Sequence, residues 1–454
     1  MASLVKRTGF SLLRRISTGS RNLMMMMSRG VNSSPSPWLM LPPVFEEGGD
    51  MVYKFYNLSE DKEESFRTKR SISAYEMGDD AAKFVGSSHG WLALFNQRNN
   101  HLFLYNPITC RHIKLPPIET LPHPMINLTR DGRGSVSKLI LSSSPDDDDE
   151  CIAMMTFGPG DRLAFCHPCR SSTEWTPIGQ LFFRDKETGK DYENPLINFS
   201  IFHGRAYEDF VYCSGLRCFT CITQIEIDLF GRRFCHPTCE LEDWDLSDDP
   251  ISTTCSAGGL ADLPICEEEW MNQNFSLLKM CKQIPYIVFT ELHNQHFIVI
   301  RFVMDRVAPD GSCADIEEIL YNPISQRLLV DKYPYKTIGF CVLKVDYRQE
   351  DERRVVDEVR LIKGSGTLDG LTMFIGMNHS FAVSSADFPN LKPNSIYFTD
   401  ANKNDNSIYG GHDIGIFDFA NKTLSDYNCY PFVDVPSFKR IAPPPMWFTP
   451  SLGI

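Results

Sequence analysis

Apolar positions in this chain come in short runs that stop at turn residues. Trp91–Phe95, His101–Tyr105, Ile113–Leu115, Phe210–Tyr212, Ile284–Glu291, His296–Val303, Phe340–Val345 and Ile396–Phe398 are β-branched or aromatic in character, and each is bounded by Gly, Pro, Asn or Asp. That is the pattern of strands. Sustained helical periodicity is rare. The best helix candidate runs from Cys266 to Lys282, with acids in its first turn and Lys near its end, as the helix dipole favours.

A hairpin phrase repeats along the body. Leu104-Tyr-Asn-Pro-Ile-Thr-Cys-Arg111 recurs as Leu320-Tyr-Asn-Pro-Ile-Ser-Gln-Arg327, with looser copies at Ile227-Asp-Leu-Phe-Gly-Arg-Arg233 and Ile416-Phe-Asp-Phe-Ala-Asn-Lys422. In each copy a strand ends at Asn or Asp, turns, and resumes near Lys or Arg. Asn and Asp tolerate turn conformations and Pro fixes φ. Hairpins repeated over most of the chain predict an all-β, kelch-like β-propeller of about seven blades. A two-domain sandwich is the competing architecture. Asp146–Glu150 reads as a solvated insertion, because the alternating ligands and Gly turn of a calcium loop are missing. Gly364–Gly370 lacks the Lys and the following helix of a phosphate loop and reads as a flexible turn.

Charge divides the chain in two. The first 45 residues carry Lys6, Arg7, Arg14, Arg15, Arg21 and Arg29 and no Asp or Glu, so a formal charge of −13 leaves a body of −19. On a helical projection Val5, Leu12, Leu13 and Ile16 share one side and Arg7, Arg14 and Arg15 the other. A basic, amphipathic, acid-free leader has the composition of an organelle transit peptide. Dense Arg and a helix starting almost at Met1 favour the mitochondrion over the chloroplast. A secretory signal is disfavoured because arginines interrupt the apolar stretches, and no apolar run is long enough to cross a membrane. The acidic body argues against nucleic-acid binding, which draws on clustered Lys and Arg.

Fifteen cysteines supply the candidate chemistry. Cys218, Cys221, Cys235 and Cys239, with His236 beside them, have the spacing of a four-thiolate zinc site. Leu216–Ile225 reads as strand, however, and residues three apart on a strand point to opposite faces. Ordinary buried cysteines are the expectation, with no metal and no cofactor. The pair in Cys166-His-Pro-Cys169, next to Arg170, raises redox chemistry, but the loop that follows is not the helix of a thioredoxin-like motif. His89 lies in a turn entering the strand at Trp91. No nucleophile motif stands beside any His, so no catalytic residue is assigned.

Several stretches together resemble one family. Gly86-Ser-Ser-His-Gly-Trp-Leu92, Leu104-Tyr-Asn-Pro107 with Ile113-Lys-Leu-Pro-Pro117, Glu208-Asp-Phe-Val-Tyr212, Ala386-Asp-Phe-Pro389 through Leu391-Lys-Pro-Asn-Ser-Ile-Tyr-Phe-Thr-Asp400, Gly415-Ile-Phe-Asp418 and Met446-Trp-Phe448 with Pro450 are similar to the plant domain-of-unknown-function 295 family, the KIB-type β-propellers. The resemblance implies a plant source and supports the propeller. Many relatives carry an N-terminal F-box and resemble substrate receptors of Skp1-cullin-F-box ubiquitin ligases. Here the leader stands where an F-box would be, which resembles the family's organelle-targeted branch. The expectation is a transit peptide over residues 1–30 and a KIB-type propeller over 31–454. Its expected role is that of a non-enzymatic mitochondrial module binding an unknown protein partner. A ubiquitin-ligase receptor and a metal- or redox-active cysteine protein are the alternatives.

Overall fold

A computed structural model of the chain describes residues 36–46, 51–68, 82–96, 99–121, 136–158, 162–170, 172–179, 183–185, 191–192, 202–229, 232–246, 251–255, 269–274, 277–278, 281–304, 334–350, 353–363, 367–400, 410–426, 441 and 443–451. The leader and the Leu320 copy of the hairpin phrase lie outside them.

The described strands form five sheets and sort into six consecutive groups, the fifth and sixth joined by a single parallel bridge of Phe289 to Phe381. Blade I contains β1 (Trp38–Phe45), β2 (Met51–Asn57) and β3 (Lys62–Thr68). Blade II is the meander β4 (Ala82–Ser88), β5 (Trp91–Asn96), β6 (His101–Asn106), β7 (Arg111–Lys114), and blade III is β8 (Val136–Leu141), β9 (Ala153–Phe157), β10 (Arg162–Cys166), β11 (Thr176–Ile178). Two short strands, β12 (Phe183–Asp185) and β13 (Asp191–Tyr192), precede blade IV, which is β14 (Phe202–Cys213), β15 (Cys218–Leu229), β16 (Arg232–Asp245), β17 (Ile251–Cys255). Blade V is β18 (Lys282–Thr290), β19 (Gln295–Met304), β20 (Lys336–Glu350), β21 (Arg353–Leu361). Blade VI holds β22 (Leu371–Ile375), β23 (Phe381–Ser384), β24 (Ser395–Phe398), β25 (Gly415–Asp418) and β26 (Thr423–Asp426), in the order β23-β22-β24-β25-β26. The last strand, β27 (Met446–Phe448), returns to pair with β1.

Six apolar clusters lie between successive blades. The cluster between blades II and III, for example, joins Val85, Trp91 and Leu104 to Leu139, Met155 and Ala164. Another closes the ring by placing Phe374 and Tyr397 of blade VI against Leu39 of blade I and Trp447 of β27. β5 shows the alternation: Trp91, Ala93 and Phe95 enter the cluster shared with blade III, and Leu92 and Leu94 the one shared with blade I, so the inner part of the blade is buried on both faces. Among the described residues the strands make six such groups, and β14, β15, β16 and β20 are the long ones at 12, 12, 14 and 15 residues.

Of the expected helix, α1 (Glu269–Gln273) and residues 277–278 are helical among the described residues, and Lys282 already begins β18. Pairing with β19 overrides local helical preference there.

Candidate functional site

The space between the inner strands is crossed by the turn of the β22–β23 hairpin. Its His379 meets two distant blades: the backbone N–H donates to the Ser87 carbonyl at 2.8 Å, and the ring Nε2 accepts the Tyr212 N–H at 3.3 Å. Met377 packs into the cluster between blades I and II. Gly376 is required here, since a Cβ would lie 2.1 Å from Thr399 Oγ1. The His89 ring approaches the His379 ring to 5.7 Å, brought there by a left-handed turn, φ 50° at His89 and 80° at Gly90.

Both imidazoles are held neutral. Burial, then the neighbouring His89 and Lys138, keeps His379 well below the usual histidine range. Burial also lowers His89, against an opposing pull from Glu291, the Leu141 carbonyl and Asp147. A neutral ring is what His379 needs to accept the Tyr212 N–H. Ser87 Oγ, Asn378 Oδ1 and Ser380 Oγ, on or next to this turn, have no protein partner among the described residues. Buried polar atoms of that kind are ordinarily met by ordered water or a ligand.

Three further polar clusters lie between blades, two of them buried and the third, around Arg354 and Asp243, partly buried. Lys138 Nζ lies 2.5 Å from Asp209 Oδ1, and Asp209 Oδ2 accepts the Ile287 N–H at 2.9 Å, so one carboxylate joins blades III, IV and V. A register shift between Tyr207 and Asp209 aims that side chain. Arg301 spends its donors on Thr337 Oγ1, the Thr399 and Asp413 carbonyls and the Asp413 carboxylate, binding blade V to blade VI.

The third cluster joins blades IV and V around Cys213. Arg354 donates to Asp243 at 2.6 Å and reaches His296 Nδ1 at 3.5 Å. A guanidinium has no acceptor, so Nδ1 is the bare nitrogen and Nε2 carries the proton. Nε2 therefore donates to Cys213 Sγ, 3.0 Å away. The thiol faces Thr220 Oγ1 at 3.4 Å, and Thr220 donates onward to Asp243 at 2.6 Å. Burial raises the Cys213 thiol and, with Arg354, drives His296 well below the usual histidine range. Both groups are neutral, the reverse of an activated thiolate–imidazolium pair.

The cysteines singled out from the sequence are not gathered at one point. Cys218 packs between blades IV and V, whereas Cys221 packs between blades III and IV on the opposite face of β15. The backbone register sets Cys239 opposite Gln224 and Cys235 opposite Glu226. At about 3.3 Å per residue, those rows are roughly 10 Å and 17 Å along the strand from Cys221, against a zinc–sulfur bond of about 2.3 Å. The side chains of Cys235, His236 and Cys239 lie outside the described residues. Among the described residues, no three His, Cys, Asp or Glu side chains gather as a metal site. Cys166 and Cys169 pack on the cluster between blades II and III. Burial raises both thiols, the opposite of the lowered thiol that a thioredoxin-like motif depends on. Asp146–Glu150 lies on a loop, with Asp146 paired to Arg111 and Asp148 accepting from Ser143 Oγ.

Sequence reasoning missed the buried pairs because their members are 71, 83 and 112 residues apart for Lys138–Asp209, Cys213–His296 and Arg301–Asp413. One signal was present. Lys138 and Arg301 are lone cations within apolar strands, and a charge so placed needs a buried partner.

Successive antiparallel blades packed face to face on apolar clusters, with the last strand closing on the first, define a β-propeller. The chain belongs to the KIB1-4 beta-propeller family, whose model matches residues 55–418. The match starts within β2 and ends with β25, so the closing pair of β1 and β27 falls outside it. No curated protein matches the chain. Similar solved structures include the major Malassezia sympodialis allergen Mala s 1, at 10% identity over 76% of this chain and 89% of that chain, with a TM-score of 0.23. They also include the extracellular domain of the putative one component system BT4673 from B. thetaiotaomicron, at 8% identity over 88% of this chain and 53% of that chain, with a TM-score of 0.23. Likenesses at this level carry no argument about function.

Proposed function

We propose that the chain is a non-enzymatic propeller that binds a protein partner in the mitochondrion. The observation that carries the binding reading is the closure of the charged clusters between blades. Lys138 faces Asp209, Arg301 faces Asp413, and Arg354 faces Asp243 and His296, so these groups are occupied with one another rather than with a substrate. Binding then belongs to exposed turns on the rigid ring. The turns Ser214–Arg217 and Glu291–Asn294 are neighbours, tied by Ser214 Oγ donating to Glu291 at 2.6 Å. They present Arg217, Glu291 and a 65% exposed Leu292. The mitochondrial part of the reading rests on the leader's six cations and lack of acids.

Proximity labelling from the full chain in its native cell tests both parts. A mitochondrial set of labelled proteins is expected, and members of it are expected to disappear when Arg217, Glu291 and Leu292 are changed to Ala with the melting temperature unchanged. Cytosolic labelling with Skp1 co-purification would overturn the proposal in favour of a ubiquitin-ligase receptor.

A further inference from the structure

Cys213 and Cys218 end β14 and begin β15, directly opposite one another across the hairpin. Such cross-strand partners have Cα atoms about 4.5–5.5 Å apart, inside the roughly 4.4–6.8 Å window a disulfide spans. Both side chains lie on the same face, in the cluster between blades IV and V. Both are free. The turn between them is exposed at Ser214, Gly215 and Arg217. Cys218 is 8% exposed where Cys213 is fully covered, so an oxidant arriving at this turn meets Cys218 first. Cys213 is also the sulfur that His296 and Thr220 hold. Withdrawing it would break a hydrogen-bond circuit that joins two blades.

We propose that Cys213 and Cys218 are a reversible thiol–disulfide site whose oxidation releases the Cys213–His296 contact between blades IV and V. The oxidant is a small disulfide of the glutathione class. The Cys218 thiolate attacks one sulfur of that disulfide, forming a mixed disulfide and expelling the other half as a thiolate. Cys213 then gives up its proton and attacks Cys218 Sγ, expelling the second half. Two electrons pass from the protein pair to the small disulfide, which leaves as two thiols carrying the two protons. In the product, Cys213 Sγ is turned toward Cys218. His296 Nε2 loses its acceptor and Thr220 Oγ1 its thiol donor.

The test is to equilibrate the full chain in glutathione buffers stepped from reduced to oxidised, alkylate the remaining thiols and map tryptic peptides. Trypsin cuts after Arg217, between the two cysteines, so their disulfide joins two separate peptides. The expected result is loss of two of the fifteen thiols, a linked pair through Cys213 and Cys218, and full recovery on reduction. Cys218→Ser should abolish the linked pair, and Cys221→Ser, on the opposite face, should keep it. Amide exchange in Gln295–Met304 and Arg353–Leu361, the strands carrying His296 and Arg354, should quicken on oxidation. Absence of the linked peptide while exposed Cys110 reacts would overturn the site, and this needs only the unmodified chain. Unchanged exchange in those two strands would overturn the coupling to the blade contact.

Discussion

A single missing methyl at residue 86 sets the approach of two blades. A Cβ on Gly86 would lie 1.8 Å from the Leu139 carbonyl oxygen, and both residues are on inner strands, where neither backbone is free to retreat. Gly86→Ala is therefore expected to cost about 3 kcal/mol, the upper range for overpacking, read as a lower denaturant midpoint with an unchanged slope. The sequence showed Gly86 only as part of a turn-like stretch before Trp91, because its reason for being Gly lies on a strand more than fifty residues away. The same limit hid Arg301. Its place in an apolar strand was legible, whereas Asp413, Thr337 and Thr399 come together around it only in the fold.

At the scale of the element, the repeated hairpin phrase was the most legible feature, and it has a common geometry. Asn106 Oδ1 accepts the N–H groups of Ile108 and Thr109, Cys110 takes φ 58°, and Arg111 resumes the strand. Asp418 Oδ1 accepts from Asn421, Lys422 takes φ 54°, and Thr423 resumes. Asn57 builds the same turn with Ser59, Glu60 and Asp61 in blade I, where the wording differs enough to escape notice. These three are the outer hairpins of blades I, II and VI. The Ile227 copy instead joins the second and third strands of blade IV, so uniform spacing between copies was never available to fix the blade count. The Asp418 turn carries a pH signature. Burial works to raise its carboxyl, but Lys392 at 2.8 Å and the hydrogen bonds from Asn421 outweigh it and hold the value to about 2, below the ordinary 3.8. A folded-state value below the unfolded one stabilises above about pH 4, and that stabilisation drains away as pH falls from 4 toward 2. Asp418→Asn should remove this dependence. The gap in unfolding free energy between wild type and variant, measured by denaturant titration, should be constant above pH 5 and narrow steadily below pH 4.

For the whole molecule, stability depends on how the ring is shut. β27 supplies three buried residues from the far end of the sequence, and they divide between two interfaces. Met446 and Phe448 enter the cluster between blades I and II, while Trp447 enters the cluster between blades VI and I. β1 pairs with β27 on one edge through Trp38–Phe448, Leu39–Trp447 and Met40–Met446, and with β2 on the other. Without β27, the inner edge of blade I would be an unpaired strand facing the axis, with its backbone donors and acceptors unmet. Nothing in local pattern announces this pairing, because it joins opposite ends of the chain. Trp447 gives the sharpest reading of its weight. Its ring meets Phe374 edge-on at 5.1 Å and Tyr397 at 6.0 Å, so its removal opens a cavity at the seam between the last blade and the first. Trp447→Ala is expected to cost about 3–5 kcal/mol, a large share of the roughly 5–15 kcal/mol that holds a native protein together. Because the seam closes the ring, the loss should spread beyond blade I. Hydrogen exchange should quicken in β22, β24 and β4 together, and acceleration confined to β1 and β2 would show that the blades stand independently of closure.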